Sequence, residues 1–190
     1  MRVYSDRVLV PSVDGGLQIK PALIRIQGGI IESVRVEDQP FGHTLEPDVD
    51  HLGDKLLTPA FINAHTHVAM SVYRGLLSGD HMRGNVVESF YFQVEAALDG
   101  ADIRAFARMG AYESLLAGVG TIWDHYYGGL ELVKGIDDVG LTATVALTLQ
   151  DLNGPGVAYL EDQLAATEHL AGSADWRKKG IVAALGPHAT

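Results

Sequence analysis

The chain has 190 residues, a formal net charge of −10 and no cysteine. This length is enough for one hydrophobic core, or for a small domain together with part of a larger one. The acidic balance argues against a nucleic-acid backbone as the main ligand. The lack of cysteine excludes disulfides and thiolate metal sites, so any metal must be held by His, Asp or Glu.

Membrane insertion and secretion are also disfavoured by the sequence. No apolar run approaches the ~20 residues that a transmembrane helix needs. Charged residues interrupt the apolar N-terminal segment, which is atypical of a signal peptide. We therefore expect a cytoplasmic protein that does not bind membranes.

Residues 1–57 have the sequence pattern of an all-β segment. Short apolar runs alternate with turns rich in Gly, Pro and Asp, and the pair Gly28-Gly29 predicts a hairpin turn. A few short strands rarely form a stable unit alone, and we therefore expect this segment to pack against another part of the protein. The predicted strands are Val8–Val10, Leu17–Ile26 and Ile30–Val36, followed by a loop over Asp38–Asp54.

After residue 57 strands alternate with helices, which is typical of a parallel sheet with right-handed crossovers. The four strand beginnings predict the first half of a (β/α)8 barrel of the TIM type, a fold that needs about 250 residues in full. Residues 68–100 are too long for an ordinary connection and predict short helices with a functional loop. The predicted strands are Leu57–Ala64, Gly120–Asp124, Leu141–Leu149 and Ile181–Leu185; the helices are Asp102–Ala117, Leu130–Val139 and Val157–Ala171, with a polar connection at Gly172–Lys179.

Two histidines follow the first strand of this second part. Side chains alternate along a strand, so His65 and His67 point to the same side and Thr66 to the other. Two neighbouring imidazoles suit zinc or iron(II), and a third protein ligand with a water would complete a hydrolytic site. The alternative is a pair of partly buried histidines that end the strand without binding metal.

The segment around these histidines resembles a known family. Thr58–Arg74, TPAFINAHTHVAMSVYR, resembles the first-strand signature of the amidohydrolase superfamily. The similarity is greatest to its cytosine deaminase/chlorohydrolase-like branch, which includes S-adenosylhomocysteine, methylthioadenosine and guanine deaminases. The resemblance implies that residues 1–57 are part of a small β-sandwich domain and that residues 58–190 are the first four β/α units of the barrel.

The resemblance implies one divalent metal, most plausibly zinc, held by His65 and His67. The family's other ligands, a histidine after strand five and an aspartate after strand eight, are expected beyond Thr190, as is its proton-shuttling glutamate. We therefore expect a fragment of a longer enzyme or a truncated gene, and we assign no catalytic residue. Lys178 and Lys179 precede strand four and no lysine follows it. This favours a one-metal deaminase over two-metal relatives with a bridging carbamylated lysine.

Two further residues are implied to bind substrate. His188, in the segment LGPHAT, resembles the family's strand-four histidine that hydrogen-bonds the substrate's ring or sugar; the alternative is a surface histidine near a chain end. Glu95 falls where nucleoside deaminases of this branch have a sugar-binding glutamate; the alternative is a solvent-facing helix residue.

Other candidates carry weaker predictions. The cluster Phe90–Phe92 either stacks on a planar base or packs in the core, and Arg74 is expected to hold its loop. Asp124 is expected to orient His125 or a neighbouring loop. Four histidines are predicted to lie on the surface: His43, His51, His81 and His169.

The sequence thus predicts a metal-dependent hydrolase that deaminates a purine- or pyrimidine-like base or nucleoside. Its expected partners are a small heterocyclic substrate and further copies of itself. Two alternatives stay open. One is a chlorohydrolase or cyclic-amide hydrolase of the same superfamily. The other is an inactive, metal-free fragment that self-associates through exposed sheet edges and an apolar layer.

Overall fold

The structure is a computed structural model that describes residues 1–40, 47–76 and 84–188. The chain divides into two compact units, Met1–Pro59 and Ala60–Thr190. Among the described residues, no helix is both long and apolar enough to cross a membrane.

The first unit is a five-stranded sheet in the order β3-β2-β1-β4, with β5 also paired to β1. The pairs β1–β2 and β2–β3 are antiparallel, as the predicted hairpin requires, whereas β4 and β5 run parallel to β1. Apolar side chains of β1 and β2 form its small core. The strands are β1 (Arg2–Pro11), β2 (Leu17–Gln27), β3 (Ile30–Val36), β4 (Val49–His51) and β5 (Leu56–Leu57).

The second unit contains a parallel sheet in the order β6-β7-β8-β9. Consecutive strands are neighbours, as expected for successive β/α units. Apolar side chains from the strands pack against helices that connect them, and this core includes Ile122, Leu132, Val145 and Leu170. The strands are β6 (Phe61–Thr66), β7 (Val119–Tyr126), β8 (Thr142–Leu149) and β9 (Ile181–Pro187).

Within the described residues, short helical turns and five α-helices connect these strands. The segment after β6 contains a 3₁₀ helix and a π-helical turn, in agreement with the predicted short helices, and another 3₁₀ turn precedes α4. The helices are 3₁₀ (Val68–Tyr73), π (Val87–Tyr91), α1 (Phe92–Glu95), α2 (Gly100–Leu116), α3 (Leu130–Asp137), 3₁₀ (Val157–Tyr159), α4 (Leu160–Gly172) and α5 (Ala174–Lys178).

Helix α2 begins two residues before its predicted start because a capping box precedes it. The Asp99 carboxylate accepts the Asp102 N–H at 2.9 Å, and the Asp102 carboxylate accepts the Asp99 N–H at 3.2 Å. These two bonds satisfy donors that a helix N-terminus otherwise leaves free. At the other end Gly118, with a φ of +82°, ends the helix as predicted.

Three secondary-structure predictions were wrong. The predicted loop Asp38–Asp54 contains β4, which pairs with the start of β1. The predicted strand Leu57–Ala64 is divided into β5 and β6 around Pro59, which has no N–H to donate to a sheet. The polar segment Gly172–Lys179 contains α5, whose first turn is capped by the Ser173 hydroxyl, which accepts the Trp176 N–H at 3.3 Å.

Gly110 allows α2 to approach the segment that follows β6. A Cβ at this position would lie 2.2 Å from the Val68 carbonyl oxygen. We predict that Gly110→Ala lowers the free energy of unfolding by about 1–3 kcal/mol, the usual cost of overpacking. Gly172→Ala is the control, because a Cβ there meets nothing within 4 Å. Urea unfolding of both variants would contradict the prediction if Gly110→Ala were as stable as Gly172→Ala.

Candidate active site

Four histidines meet at one edge of the parallel sheet. His65 is the penultimate residue of β6, and His67 directly follows this strand. His125 lies near the end of β7, and His188 directly follows β9. In a parallel sheet the carboxyl ends of all strands lie at the same edge, where α/β barrels have their active sites. The topology therefore collects residues separated by more than 120 positions in the sequence.

His65 and His67 lie side by side, as the strand alternation predicts. Their ring centroids are 5.1 Å apart in an edge-to-face arrangement. The Nδ1 of His67 lies 2.5 Å from the carbonyl oxygen of His125. A carbonyl only accepts hydrogen bonds, so Nδ1 of His67 carries the proton and Nε2 has the free lone pair.

This geometry fits a metal site in its chemistry. Histidine ligands of metals commonly donate their second ring N–H to a backbone carbonyl, as His67 does to His125. Two imidazoles supply half of the four-coordinate set that zinc prefers. The residues described here contain no group of three or more His, Asp or Glu side chains with the spacing of a metal site. His65 and His67 therefore fit as a partial ligand set.

His125 links the two histidine pairs. Its ring lies 5.8 Å from that of His67 and stacks on that of His188, with centroids 5.7 Å apart and planes 18° apart. Its Nε2 lies 3.2 Å from the Gly186 carbonyl oxygen, to which it donates. Burial lowers the pKa of His125, and the nearby histidines lower it further, while the bond to Gly186 opposes them. Burial therefore favours the neutral form of this ring.

A cavity of about 220 Å³ opens in front of these rings. It contains the predicted substrate-binding residues His188 and Glu95 and the predicted metal ligand His67, whereas the exposed His65 is not part of its wall. The structure thus brings three of the four predicted site residues to one cavity. Its polar and aromatic walls include His67, Phe92, Glu95, His125, Thr148 and His188.

Glu95 faces this cavity from the end of α1 and is half-buried. Burial raises the pKa of its carboxyl, and the hydroxyls of Tyr73 and Tyr126 oppose this shift. The Tyr73 hydroxyl donates to the Tyr91 carbonyl oxygen at 3.1 Å. The Tyr126 hydroxyl is buried and has no hydrogen bond of normal geometry to another described residue. Glu95 therefore lines a pocket of hydroxyl groups rather than a solvent-facing helix surface.

Asp124 holds the loop after β6, one of the two roles predicted for it. Its side chain is fully buried, and Oδ1 accepts the Val68 N–H at 2.6 Å. Burial raises the pKa of Asp124 to about 7, with the Val68 N–H acting in the opposite direction. Since Val68 follows His67 directly, this bond fixes the backbone next to the predicted metal ligand.

Arg74 holds its loop as predicted. Its guanidinium makes a two-pronged ion pair with Glu113 of α2, in which one nitrogen–oxygen distance is 2.7 Å. His51 and His169 are exposed, which confirms the prediction for them. His43 and His81 lie outside the described residues.

The aromatic cluster divides between its two predicted roles. The rings of Phe90 and Tyr91 pack against Tyr73 at 5.8 Å and 4.8 Å. The ring of Phe92 instead faces the cavity, 6.4 Å from that of His188. Packing thus accounts for Phe90, while Phe92 offers an aromatic wall to a ligand.

Sequence reasoning missed three polar members of the site. His125, Thr148 and Gln150 were not assigned to it, yet each contacts a histidine ring there. Their position in the sequence could have identified them, because each lies at or just after the carboxyl end of an apolar barrel strand. The predicted end of the second strand at Asp124 was two residues too early and hid His125 and Tyr126.

The chain is similar to known proteins over most of its length. The amidohydrolase family model matches residues 56–190. The chain is 32% identical over 185 residues to a 5-methylthioadenosine/S-adenosylhomocysteine deaminase of Halobacterium salinarum, covering 93% of this chain and 41% of that protein. It is 30% identical over 171 residues to a 5'-deoxyadenosine deaminase of Methanothermobacter thermautotrophicus, covering 87% and 39%. The chain thus spans about two fifths of the length of these relatives.

Solved structures show the same fold. An adenosine deaminase of Xanthomonas campestris with bound zinc has a TM-score of 0.71 and 20% identity, covering 98% of this chain and 42% of that chain. A guanine deaminase of C. acetobutylicum with bound guanine has a TM-score of 0.69 and 16% identity, covering 100% and 46%. These matches confirm the predicted fold class, a half-barrel preceded by a small β section.

The Asp124–Val68 bond yields a prediction for the loop that follows β6. Asp124→Ala leaves the Val68 N–H without its buried acceptor, and this should lower the free energy of unfolding by about 1–3 kcal/mol. Asp124→Asn keeps an acceptor oxygen and should lose less. Denaturant unfolding and hydrogen exchange of the Val68 amide measure both effects. Equal losses in the two variants would refute the acceptor role.

Proposed function

The chain belongs to the amidohydrolase family, and we propose that it forms part of a metal-dependent hydrolase that deaminates a purine-type base or nucleoside. The observation that carries this proposal is the convergence of His67, Glu95, His125 and His188 on one cavity beside His65. The names of the deaminase relatives support the reaction class and the substrate class.

We assign His65 and His67 as two ligands of one divalent metal, with zinc favoured over iron(II). Neutral imidazoles suit both metals, and the zinc in the adenosine deaminase of similar fold favours the former. When bound, such a metal activates water for hydrolysis. The His125 carbonyl holds the ring of His67, and the described residues include no group that we assign as the general base.

The other cavity residues are suited to binding a polar heterocycle. His188 offers a ring nitrogen to the base, and Phe92 forms an aromatic wall beside it. Glu95 accepts hydrogen bonds from sugar hydroxyls, a role that fits a carboxylate among tyrosine hydroxyls. Together these side chains recognise a molecule with a flat polar ring and a hydroxylated substituent.

We further propose that the protein is a cytoplasmic homo-oligomer. The lack of cysteine is consistent with a reducing compartment. Large apolar side chains on the outer strands β6 and β9 are exposed, including Phe61, Ile62 and Leu185. Exposed apolar patches of this kind commonly mark association surfaces.

The metal assignment predicts the effect of removing the two ligands. In the complete enzyme, we expect the His65→Ala/His67→Ala double variant to lose the zinc that the wild type retains after loading and dialysis. His169→Ala is the control, because His169 is exposed on α4. Metal content measured by atomic absorption gives the result. Full zinc content in the double variant would overturn the assignment.

The role of Glu95 predicts a difference between nucleosides and free bases. Glu95→Gln keeps the size of the side chain but removes its charge. Hydrogen bonds to charged groups contribute about 1.5–3 kcal/mol, so KM for adenosine should rise at least about tenfold. KM for adenine should not change, because adenine has no sugar. Ammonia release by the complete enzyme measures both, and chloride release from chlorotriazines tests the chlorohydrolase alternative in the same screen.

A further inference from the structure

Gln150 is a buried polar residue that has no role in the proposed reaction. It directly follows β8, and its side chain is fully buried. Its Nε2 lies 3.3 Å from Nδ1 of His188, the ring predicted to bind substrate. A buried amide has several hydrogen-bonding atoms to satisfy, so its partners identify the positions of its oxygen and its NH₂ group.

The backbone of the following loop fixes the orientation of this amide. The Gly156 N–H lies 2.9 Å from Oε1 of Gln150. A backbone N–H only donates, so the atom that faces it must be the carbonyl oxygen. The NH₂ group of Gln150 therefore faces His188 and donates to its Nδ1.

The loop backbone also packs closely against this amide. A Cβ at Gly154 would lie 2.6 Å from both polar atoms of the Gln150 amide, and one at Gly156 would lie 2.8 Å from its Oε1. Glycine at both positions thus allows the backbone to close around the side chain. The enclosed amide has one orientation, and its donor remains directed at His188.

The His188 ring is held from two further directions. Its backbone N–H donates to the Leu149 carbonyl oxygen at 2.9 Å, which extends the β8–β9 ladder. One face of its ring stacks on His125. Because Nδ1 accepts from Gln150, the neutral ring carries its proton on Nε2. No described residue makes a hydrogen bond to that nitrogen, and the ring lines the cavity.

We propose that Gln150 is a positioning residue that holds His188 as the Nε2–H tautomer, so that this ring presents a hydrogen-bond donor to the substrate. The substrate must then place an acceptor there, such as a ring nitrogen or a carbonyl oxygen of a heterocycle. The tautomer follows from the structure alone, whereas the substrate consequence rests on the proposed function. An N–H group of a ligand at the same point would face another donor and be rejected.

Ring-nitrogen NMR of protein labelled with ¹⁵N-histidine tests the tautomer directly. Spectra are recorded near pH 8, above the ordinary imidazole pKa of about 6.5, and His188→Gln identifies the His188 resonances. In wild type we expect an unprotonated Nδ1 and a protonated Nε2. Gln150→Glu replaces the donor by a carboxylate, so Nδ1 should shift to the protonated range. Gln150→Met removes both groups and should shift both resonances toward an average of the two tautomers.

Gln163→Met is the matched control, since Gln163 is also buried but lies on α4. It should leave the His188 resonances unchanged. A protonated Nδ1 in neutral wild-type His188 would overturn the proposal, as would wild-type His188 resonances in Gln150→Glu. If the variants fail to fold, wild type labelled with ¹⁵N at both residues is used to measure the coupling across the hydrogen bond between Gln150 Nε2 and His188 Nδ1. A measurable coupling supports the proposal, and its absence overturns it.

Kinetics test the substrate consequence separately. Reversal of the donor in Gln150→Glu should raise KM for adenosine about tenfold or more, as expected for a lost hydrogen bond with an unpaired group, while kcat changes less. An unchanged KM would overturn the donor role of His188 toward substrate. If wild type gave the expected tautomer but the complete enzyme released no ammonia from any heterocycle, the proposed function would fail and the Gln150–His188 contact would stand.

Discussion

The parallel register of β6 to β9 is the constraint on which the site depends. Thr66 pairs with Asp124, His125 with Ala146 and Thr148 with Gly186, so the carboxyl ends of the strands lie at one level. A shift of one residue in any pair would turn its terminal histidine to the opposite face, because side chains alternate along a strand. The hydrophobic core beneath fixes this register, so the packing of apolar residues far from the cavity determines where the polar rings meet.

Backbone carbonyls at these strand ends then determine the role of each ring. The His125 carbonyl takes the Nδ1 proton of His67, and the Gly186 carbonyl takes the Nε2 proton of His125. The Gln150 amide, oriented by the Gly156 N–H, donates to Nδ1 of His188. His67 is thus the Nδ1–H tautomer, whereas His125 and His188 are Nε2–H tautomers. In each ring the position of the proton follows from a backbone group that can only accept or only donate, directly or through the Gln150 amide. Such bonds cost little conformational entropy, because their partners belong to rigid strand ends.

The sequence predicted the features that depend on short-range patterns of residues. Alternating apolar segments identified the four barrel strands, and the His65–His67 spacing identified two site residues, because both depend on the local period of the chain. Strand ends were less accurate, since Asp124 and His125 have low strand propensity and are held in β7 by its neighbours. The role of Gln150 could not be predicted, because it depends on contacts with Gly156 and His188, and the latter is 38 positions away. Amide orientation is a property of tertiary structure that no local pattern records.

The same network separates the parts of the site that can vary from those that cannot. His67 and His125 use one ring nitrogen each to bind a strand-end carbonyl, so replacing either ring leaves a partly buried carbonyl without its donor. Glu95 and Phe92 lie on α1, outside the sheet, and Glu95 faces the hydroxyls of Tyr73 and Tyr126 rather than a strand-end carbonyl. The side chains of this short helix can therefore change while the hydrogen bonds of the histidine edge stay intact.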